Sequence, residues 1–200
     1  MARTVEYWFS TASPWAWLGS ARFAQLAERT QVVEQVHPID LGAVFAATGG
    51  MPFPSRSPAR QSYRQLELAR WSRRLGVPIR LEPAHYPIDR EPSSRLVIAA
   101  REHGLNALVL SQAVLRAIWS EDRDIADWAT LQDIARDAGL DGAALIESAR
   151  DPRMHALYVQ NTRSAVAAGV FGSPTYVVDG ERFWGQDRLD FLEERLGGGS

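Results

Sequence analysis

The chain is 200 residues long, which is the size of one large domain or two small ones. Hydrophobic residues make up 46%, charged residues 23%, and the formal net charge is −2, so the composition excludes a disordered chain and offers no basic surplus for nucleic acid. Cysteine and lysine are both absent, which excludes disulfides, thiolate metal sites, a cysteine nucleophile and Schiff-base chemistry.

The N-terminal part of the sequence predicts a strand, a helix and a second strand. Residues 5–9 are rich in β-formers, and Ser13 followed by Pro14 is typical of a helix start, with serine as the N-cap. Residues 31–39 carry several valines and predict the second strand. A strand–helix–strand unit favours two parallel strands joined by a right-handed crossover.

The middle of the chain predicts loops and helices. Glycine and proline are dense between residues 41 and 58, so this segment predicts mostly loop, as does the proline-marked segment 83–92. Apolar residues recur at helical spacing elsewhere, which predicts helices at residues 59–75, 93–102, 106–120, 126–138, 141–149 and 152–168.

The C-terminal part returns to strand and turn patterns. Residues 176–178 and 181–184 predict two strands, and Asp179-Gly180 between them is a strong hairpin signal. Residues 185–188 then open a last helix, which ends at Leu196.

Together these elements predict an α/β protein with the thioredoxin-like fold, in which β-α-β and β-β-α units flank a large all-helical insertion. We expect the thioredoxin-like domain to comprise residues 1–41 and 166–196. The helical insertion domain would comprise residues 42–165, and residues 197–200 would form a flexible tail.

Ser13 lies where such a fold carries its chemistry. Thioredoxin-like redox proteins begin their first helix with Cys-x-x-Cys, whereas this chain has Ser13-Pro14-Trp15-Ala16 there. A helix N-terminus has unpaired N–H groups and a partial positive charge, so it favours an anion such as a thiolate supplied from outside the chain. The Ser13 hydroxyl can donate a hydrogen bond to that sulfur and favour its ionisation. The alternative interpretation of Ser13 is a plain N-cap.

A second signal lies just before the third strand, in the segment Phe171-Gly172-Ser173-Pro174-Thr175. Thioredoxin-like proteins carry a cis-proline loop at this place, so we predict a cis Ser173–Pro174 peptide bond. Such a loop presents an extended backbone edge beside the first helix, and that edge can pair with the backbone of a peptide-like ligand.

The string from Gly169 to Leu189, GVFGSPTYVVDGERFWGQDRL, and Ser13-Pro14-Trp15 carry a family resemblance. The chain resembles the 2-hydroxychromene-2-carboxylate isomerases, bacterial relatives of the kappa-class glutathione transferases within the Dsb-type thioredoxin superfamily. The resemblance covers residues 4–196 and implies glutathione as a bound thiol cofactor.

The resemblance also implies roles for individual residues. Ser13 would hydrogen-bond the glutathione sulfur as the catalytic residue, and the backbone of Ser173, beside cis-Pro174, would pair with the cysteinyl part. Gln186 and Asp187 would hold the γ-glutamyl end, with Asp187 accepting a hydrogen bond from the α-ammonium group. The alternative role for Asp187 is compensation of a helix dipole.

Three positions depart from the family pattern: Arg60 stands where a lysine is usual, Gly50 where an asparagine is common, and Ser10 where an aspartate is frequent. A carboxylate substrate needs a cation, and we expect Arg60 and Arg95 to supply it. Trp15 would form part of a slot for a flat aromatic ring. The alternatives are surface arginines and a tryptophan that packs in the core.

The family reaction converts 2-hydroxychromene-2-carboxylate to trans-o-hydroxybenzylidenepyruvate in the degradation of fused aromatic compounds. A thiolate adds to the conjugated enone, the resulting single bond rotates, and the thiolate is eliminated. Two alternatives stay open. One is a kappa-like glutathione transferase or peroxidase, and the other is a cysteine-less Dsb-like binding module without catalysis.

The expected partners are a small aromatic carboxylate substrate and a second copy of the chain in a homodimer. We expect no nucleic acid, no membrane and no metal, since the four histidines show no metal-ligand spacing. No apolar stretch reaches the roughly 20 residues of a transmembrane helix, and the N-terminus lacks the core of a signal peptide, so we expect a cytoplasmic protein.

Overall fold

The computed structural model describes residues 3–197. A four-stranded sheet lies at its centre in the order β2-β1-β3-β4, and the strands are β1 (Thr4–Phe9), β2 (Val33–Pro38), β3 (Thr175–Val178) and β4 (Glu181–Trp184). β1 and β2 are parallel, whereas β3 is antiparallel to both β1 and β4. The predicted β-α-β and β-β-α units are therefore both present.

Helices surround this sheet. Their bounds are α1 (Pro14–Thr30), α2 (Leu41–Thr48), α3 (Pro58–Leu75), α4 (Glu91–Glu102), α5 (Ala107–Trp119), α6 (Trp128–Asp137), α7 (Gly142–Arg150), α8 (Pro152–Ala167) and α9 (Leu189–Leu196). Two 3₁₀ turns lie at Phe53–Ser55 and Gln186–Arg188. Helices α2 to α8 come between β2 and β3, so the predicted helical insertion is confirmed.

The loop prediction for residues 41–58 is wrong in its first half, because Leu41–Thr48 is helix α2. The Asp40 side chain caps this helix by accepting a hydrogen bond from the Gly42 N–H at 2.8 Å. The helix ends at Gly49, which adopts a positive φ of 77°. The glycines that suggested a loop therefore lie at the two ends of the helix, where capping uses them, and the prolines follow it.

Side chains of β1 alternate between the two faces of the sheet, as the two-residue period of a strand requires. Tyr7 and Phe9 lie on one face, with their rings stacked at a centroid distance of 4.4 Å, and Phe23 of α1 packs against them. The Tyr176 ring of β3 lies 5.3 Å from that of Tyr7. Trp8 points to the opposite face and belongs to a smaller apolar cluster.

The sheet and the insertion share one hydrophobic core. The layer that contains Tyr7 and Phe9 continues into fully buried side chains of α4 and α5, such as Leu96 and Trp119. The start of α1 is thereby held between the sheet and the insertion. Within residues 3–197, no helix is both long enough and apolar enough to span a membrane.

The last helix ends close to its predicted position. Gly197 is the C-cap of α9, with a positive φ of 83°, so this residue of the predicted tail terminates the helix. The other three residues of that predicted tail, 198–200, lie outside the described residues.

Candidate active site

One cavity of about 630 Å³ is lined by most of the residues that the sequence predicts for the site. Its walls come from the start of α1, from α2 and α3, from the segment before α4, from the loop before β3 and from the turn after β4. Ser13, Trp15, Ser173, Gln186 and Asp187 all line it. Residues that are far apart in the sequence thus share one surface.

Ser13 is the buried N-cap of α1. Its Oγ accepts a hydrogen bond from the Ala16 N–H at 3.2 Å and donates one to the Ser173 carbonyl oxygen at 3.3 Å. Pro14 has no N–H, so within the described residues the Trp15 N–H is the first helical amide without an acceptor. The start of α1 therefore presents a hydroxyl, a free amide and the positive end of a helix dipole to the cavity.

Two cis peptide bonds lie at the cavity: Ser173–Pro174, which was predicted, and Tyr86–Pro87, which was not. The Ser173 Oγ accepts a hydrogen bond from the Ser10 N–H at 2.9 Å and ties the cis-proline loop to the turn before α1. Among residues 3–197 nothing accepts a hydrogen bond from the Ser173 N–H. Ser173 thus presents an unpaired backbone donor beside the start of α1.

Gln186 is a buried amide without a partner. It lies in the 3₁₀ turn before α9, is 1% exposed, and neither end of its amide finds a hydrogen bond in the part of the chain that the structure describes. Its Cβ packs closely on α1, where a Cβ added at Gly19 would approach it to 2.7 Å. An unpaired buried amide costs free energy, so its presence at the cavity favours a ligand that pairs with it.

Asp187 follows Gln186 and is 39% exposed. Its carboxylate pairs with the adjacent Arg188 at 2.9 Å. Gly185, whose φ of 105° suits glycine, leaves room for this carboxylate, because a side chain there would collide with Asp187 Oδ1. The carboxylate is thus held at the rim with one oxygen already engaged.

Aromatic rings form much of the remaining wall. Those that line the cavity are Trp15, Phe45, Phe53, Trp71, Tyr86 and Trp184. Trp184 packs edge-on against Phe171 at a centroid distance of 4.7 Å, yet it remains 52% exposed. Flat apolar walls with a few polar groups suit a flat aromatic ligand.

Arg60 and Arg95, which were predicted to bind a substrate carboxylate, do not line the cavity. Arg60 is exposed in the first turn of α3. Arg95 donates to the carbonyl oxygens of Ala149 at 2.8 Å and Asp151 at 3.3 Å, so it ties α4 to the end of α7. The structure therefore does not bring either arginine to this cavity, because position in a helix does not by itself reveal which way a side chain faces.

Arg56, Arg64 and Arg90 line the cavity instead. Arg64 is the most buried of the three at 8% exposure, and its guanidinium lies 4.2 Å from the ring centroid of Phe53. Arg64 precedes the fully buried Leu68 by four residues and shares its face of α3. Arg60 lies a further four residues earlier on the same face, so the helical period alone does not distinguish the two arginines.

The structure shows the surroundings of the other two departures from the family pattern. Ser10 is buried in the turn before α1, and its carbonyl oxygen accepts a hydrogen bond from the Ser13 N–H at 2.9 Å. Gly50 follows α2 and does not line the cavity. A side chain at Gly50 would collide with the Phe45 ring, so the glycine preserves a wall residue.

A family model of the DSBA-like thioredoxin domain matches residues 4–197, nearly the whole chain. The chain belongs to the DSBA-like thioredoxin family. Among the relatives of this DSBA-like chain is a 2-hydroxychromene-2-carboxylate isomerase from Sphingobium xenophagum, which is 32% identical over 98% of this chain and 99% of its own. Human glutathione S-transferase kappa 1 is 25% identical over 98% of this chain and 92% of its own.

Solved structures agree with this assignment. A 2-hydroxychromene-2-carboxylate isomerase superposes with a TM-score of 0.84 at 25% identity, covering 97% of this chain and 94% of the other. A probable DsbA oxidoreductase from Streptomyces coelicolor reaches 0.74 at 21% identity, with 97% and 88% covered, and supports the fold. The sequence resemblance is confirmed, and relatives named as isomerases and transferases indicate an enzyme.

Proposed function

We propose that this protein is a glutathione-dependent isomerase that interconverts 2-hydroxychromene-2-carboxylate and trans-o-hydroxybenzylidenepyruvate. One observation carries the proposal: in a chain without cysteine, Ser13, Ser173 and Gln186 line a single cavity, and the Gln186 amide has no hydrogen-bond partner within residues 3–197. These are groups that bind a thiol peptide. The names of the isomerase and transferase relatives support the same chemistry.

The polar groups on this wall fit glutathione. The Ser173 N–H offers an unpaired donor to the cysteinyl backbone, and the Gln186 amide offers both a donor and an acceptor to the γ-glutamyl end. The Asp187 carboxylate is an acceptor suited to the α-ammonium group. Bound glutathione would supply a thiolate that adds reversibly to a conjugated double bond. The chain has no cysteine and cannot provide this thiolate itself.

Ser13 would then stabilise the thiolate. Its hydroxyl carries one proton, now donated at 3.3 Å to the Ser173 carbonyl oxygen, a long hydrogen bond. Rotation about the Cβ–Oγ bond would turn that proton towards a bound sulfur without moving the helix. The Trp15 N–H and the dipole of α1 would favour the same thiolate and lower the pKa of the thiol further.

A Ser13→Ala variant tests this role. We expect the bound thiol to have a pKa raised by about one to two units, because a hydrogen bond to a charged group contributes about 1.5–3 kcal/mol and one unit corresponds to 1.36 kcal/mol. Titration of the thiolate absorbance of the protein–glutathione complex measures the shift. Loss of the N-cap also costs about 1 kcal/mol of stability.

Asn106→Ala is the matched control, since Asn106 caps α5 through its side chain and lies outside the cavity. It should lose similar stability and leave the thiol pKa unchanged. If the bound thiol has the same pKa in the wild-type protein and in Ser13→Ala, Ser13 does not stabilise the thiolate.

Assays of the isomerisation with and without glutathione separate the possible functions. Turnover that needs glutathione supports the isomerase. Conjugation or peroxide reduction without isomerisation would instead identify a kappa-type transferase. Absence of glutathione binding would leave a binding module of the Dsb type.

A further inference from the structure

Arg64 is a buried cation that faces the cavity without an anion. It is 8% exposed, and its guanidinium lies 4.2 Å from the ring centroid of Phe53 and 6.0 Å from that of Tyr86. Within residues 3–197, no carboxylate forms an ion pair with it, and Tyr86 and Arg56 are the groups whose charges act on its pKa.

The carboxylates that line the same cavity are already engaged. Glu67, one turn further along α3, pairs with Arg70, and Asp187 pairs with Arg188. Arg56 adds a second positive charge beside Arg64, since its Nε donates to the Met51 carbonyl oxygen rather than to a carboxylate. This side of the cavity therefore carries positive charge that the described residues leave uncompensated.

Burial explains why this arrangement favours a ligand. Desolvation lowers the pKa of the Arg64 guanidinium; the Tyr86 hydroxyl opposes that effect, and the charge of Arg56 adds to it. A desolvated cation without an anion is unfavourable, and an entering carboxylate would relieve both the burial cost and the repulsion. The planar guanidinium matches a carboxylate with two parallel hydrogen bonds.

We infer that Arg64, assisted by Arg56, binds the carboxylate of the substrate and makes the enzyme selective for flat, anionic aromatic compounds. The inference rests on the proposed function, because it assigns the substrate end of the same cavity. Phe53 contacts the guanidinium through a cation–π interaction, while a carboxylate would pair with its in-plane N–H groups. Trp71 and Tyr86 provide the flat wall that an aromatic ring needs.

The test uses calorimetric titration of two probes into the intact protein: 2-hydroxycinnamate, a flat aromatic carboxylate, and its neutral methyl ester. Wild type should bind the carboxylate about ten- to a hundredfold more tightly than the ester. Arg64→Gln should abolish this preference, mainly through loss of affinity for the carboxylate. Arg64→Lys should retain part of it, since it keeps the charge and loses the planar fork.

Arg60→Gln is the matched control, because Arg60 lies one turn earlier on α3 and is exposed. It should leave the preference unchanged. A thermal melt of each variant establishes that it is folded, and Arg64→Lys keeps the test valid if Arg64→Gln fails to fold.

Glutathione is a second possible source of a carboxylate, so it is titrated separately into each protein. An unchanged dissociation constant for glutathione in Arg64→Gln supports the assignment to the substrate. Weaker glutathione binding with an intact preference for the carboxylate probe would overturn it, as would a wild type that binds acid and ester equally. If wild type binds no glutathione but Arg64 still selects the carboxylate, the inference stands and the proposed function fails.

Discussion

The cavity has two walls that are built in different ways. On the sheet wall, defined by Ser13, Ser173 and Gln186, each polar group belongs to the end of a secondary-structure element or to a tight turn. On the insertion wall, defined by Arg56 and Arg64, the polar groups lie at the ends of long side chains from α3 and the segment before it. Local backbone structure thus positions the polar groups of the first wall, whereas those of the second lie at the ends of long side chains.

The two walls therefore differ in how the positions of their polar groups are determined. A helix cap, a cis-proline loop and a 3₁₀ turn hold their polar groups close to the backbone. An arginine on the insertion wall holds its charged group at the end of a long side chain. Relatives with this fold are named as both an isomerase and a transferase, so one fold supports more than one activity.

The largest expected effect concerns the rim of the sheet wall. Asp187→Asn should weaken glutathione binding by about ten- to a hundredfold, since a hydrogen bond to a charged group contributes about 1.5–3 kcal/mol. The exposed pair with Arg188 is worth at most about 1 kcal/mol, so the fold should remain intact. Calorimetric titration of glutathione, with a thermal melt, measures both quantities.

Asp190→Asn provides the control, because Asp190 is an exposed carboxylate on α9 that pairs with Arg22 and lies outside the cavity. It should leave glutathione binding unchanged. Equal dissociation constants for wild type and Asp187→Asn would show that Asp187 only compensates a helix dipole, and the sheet wall would lose its ligand for the α-ammonium group.

The two walls also differ in how far the sequence could predict them. Ser13, Ser173 and Gln186 are marked by local signals, namely Ser-Pro at a helix start, Ser-Pro before a strand, and the turn that follows a hairpin. These local signals place the helix start, the strand start and the turn, whereas the binding roles of the three residues come from the family resemblance. These are the predicted residues that the structure brings together.

The insertion wall depends on tertiary packing instead. Arg60 and Arg64 are both arginines on α3, and only the packing of the Phe53 turn and Tyr86 against the helix buries one of them. Arg95 likewise faces α7 for reasons that no local pattern contains. Helix α2 was not predicted for a different reason. Its terminal glycines, Gly42 and Gly49, are residues that also favour loops.

A second prediction tests whether the sheet wall depends on the backbone of α1. Gly19→Ala should destabilise the protein by about 1–3 kcal/mol, because the new Cβ would lie 2.7 Å from the Cβ of Gln186. Helix propensity alone predicts the opposite sign, a gain of up to about 1 kcal/mol. Chemical denaturation of both proteins measures the sign.

Gln25→Ala is the control within the same helix, since Gln25 is exposed and its substitution should change stability by less than about 0.5 kcal/mol. If Gly19→Ala stabilises the protein, Gln186 can move freely and is not held by α1. In that case the sheet wall would be as adaptable as the insertion wall.

The smallest expected effect tests how nearby charges on the insertion wall influence binding of an anionic ligand. Glu67→Gln should strengthen binding of 2-hydroxycinnamate by about twofold, because it removes a partly buried negative charge one turn from Arg64 and releases Arg70 from its pair. The gain should shrink as salt is added, since added ions screen the charges, whereas the affinity for the methyl ester should not change. If Glu67→Gln instead binds 2-hydroxycinnamate more weakly, Glu67 orients the arginines through its ion pair with Arg70. The positive charge of this wall would then depend on a network of charged side chains and not on Arg64 alone.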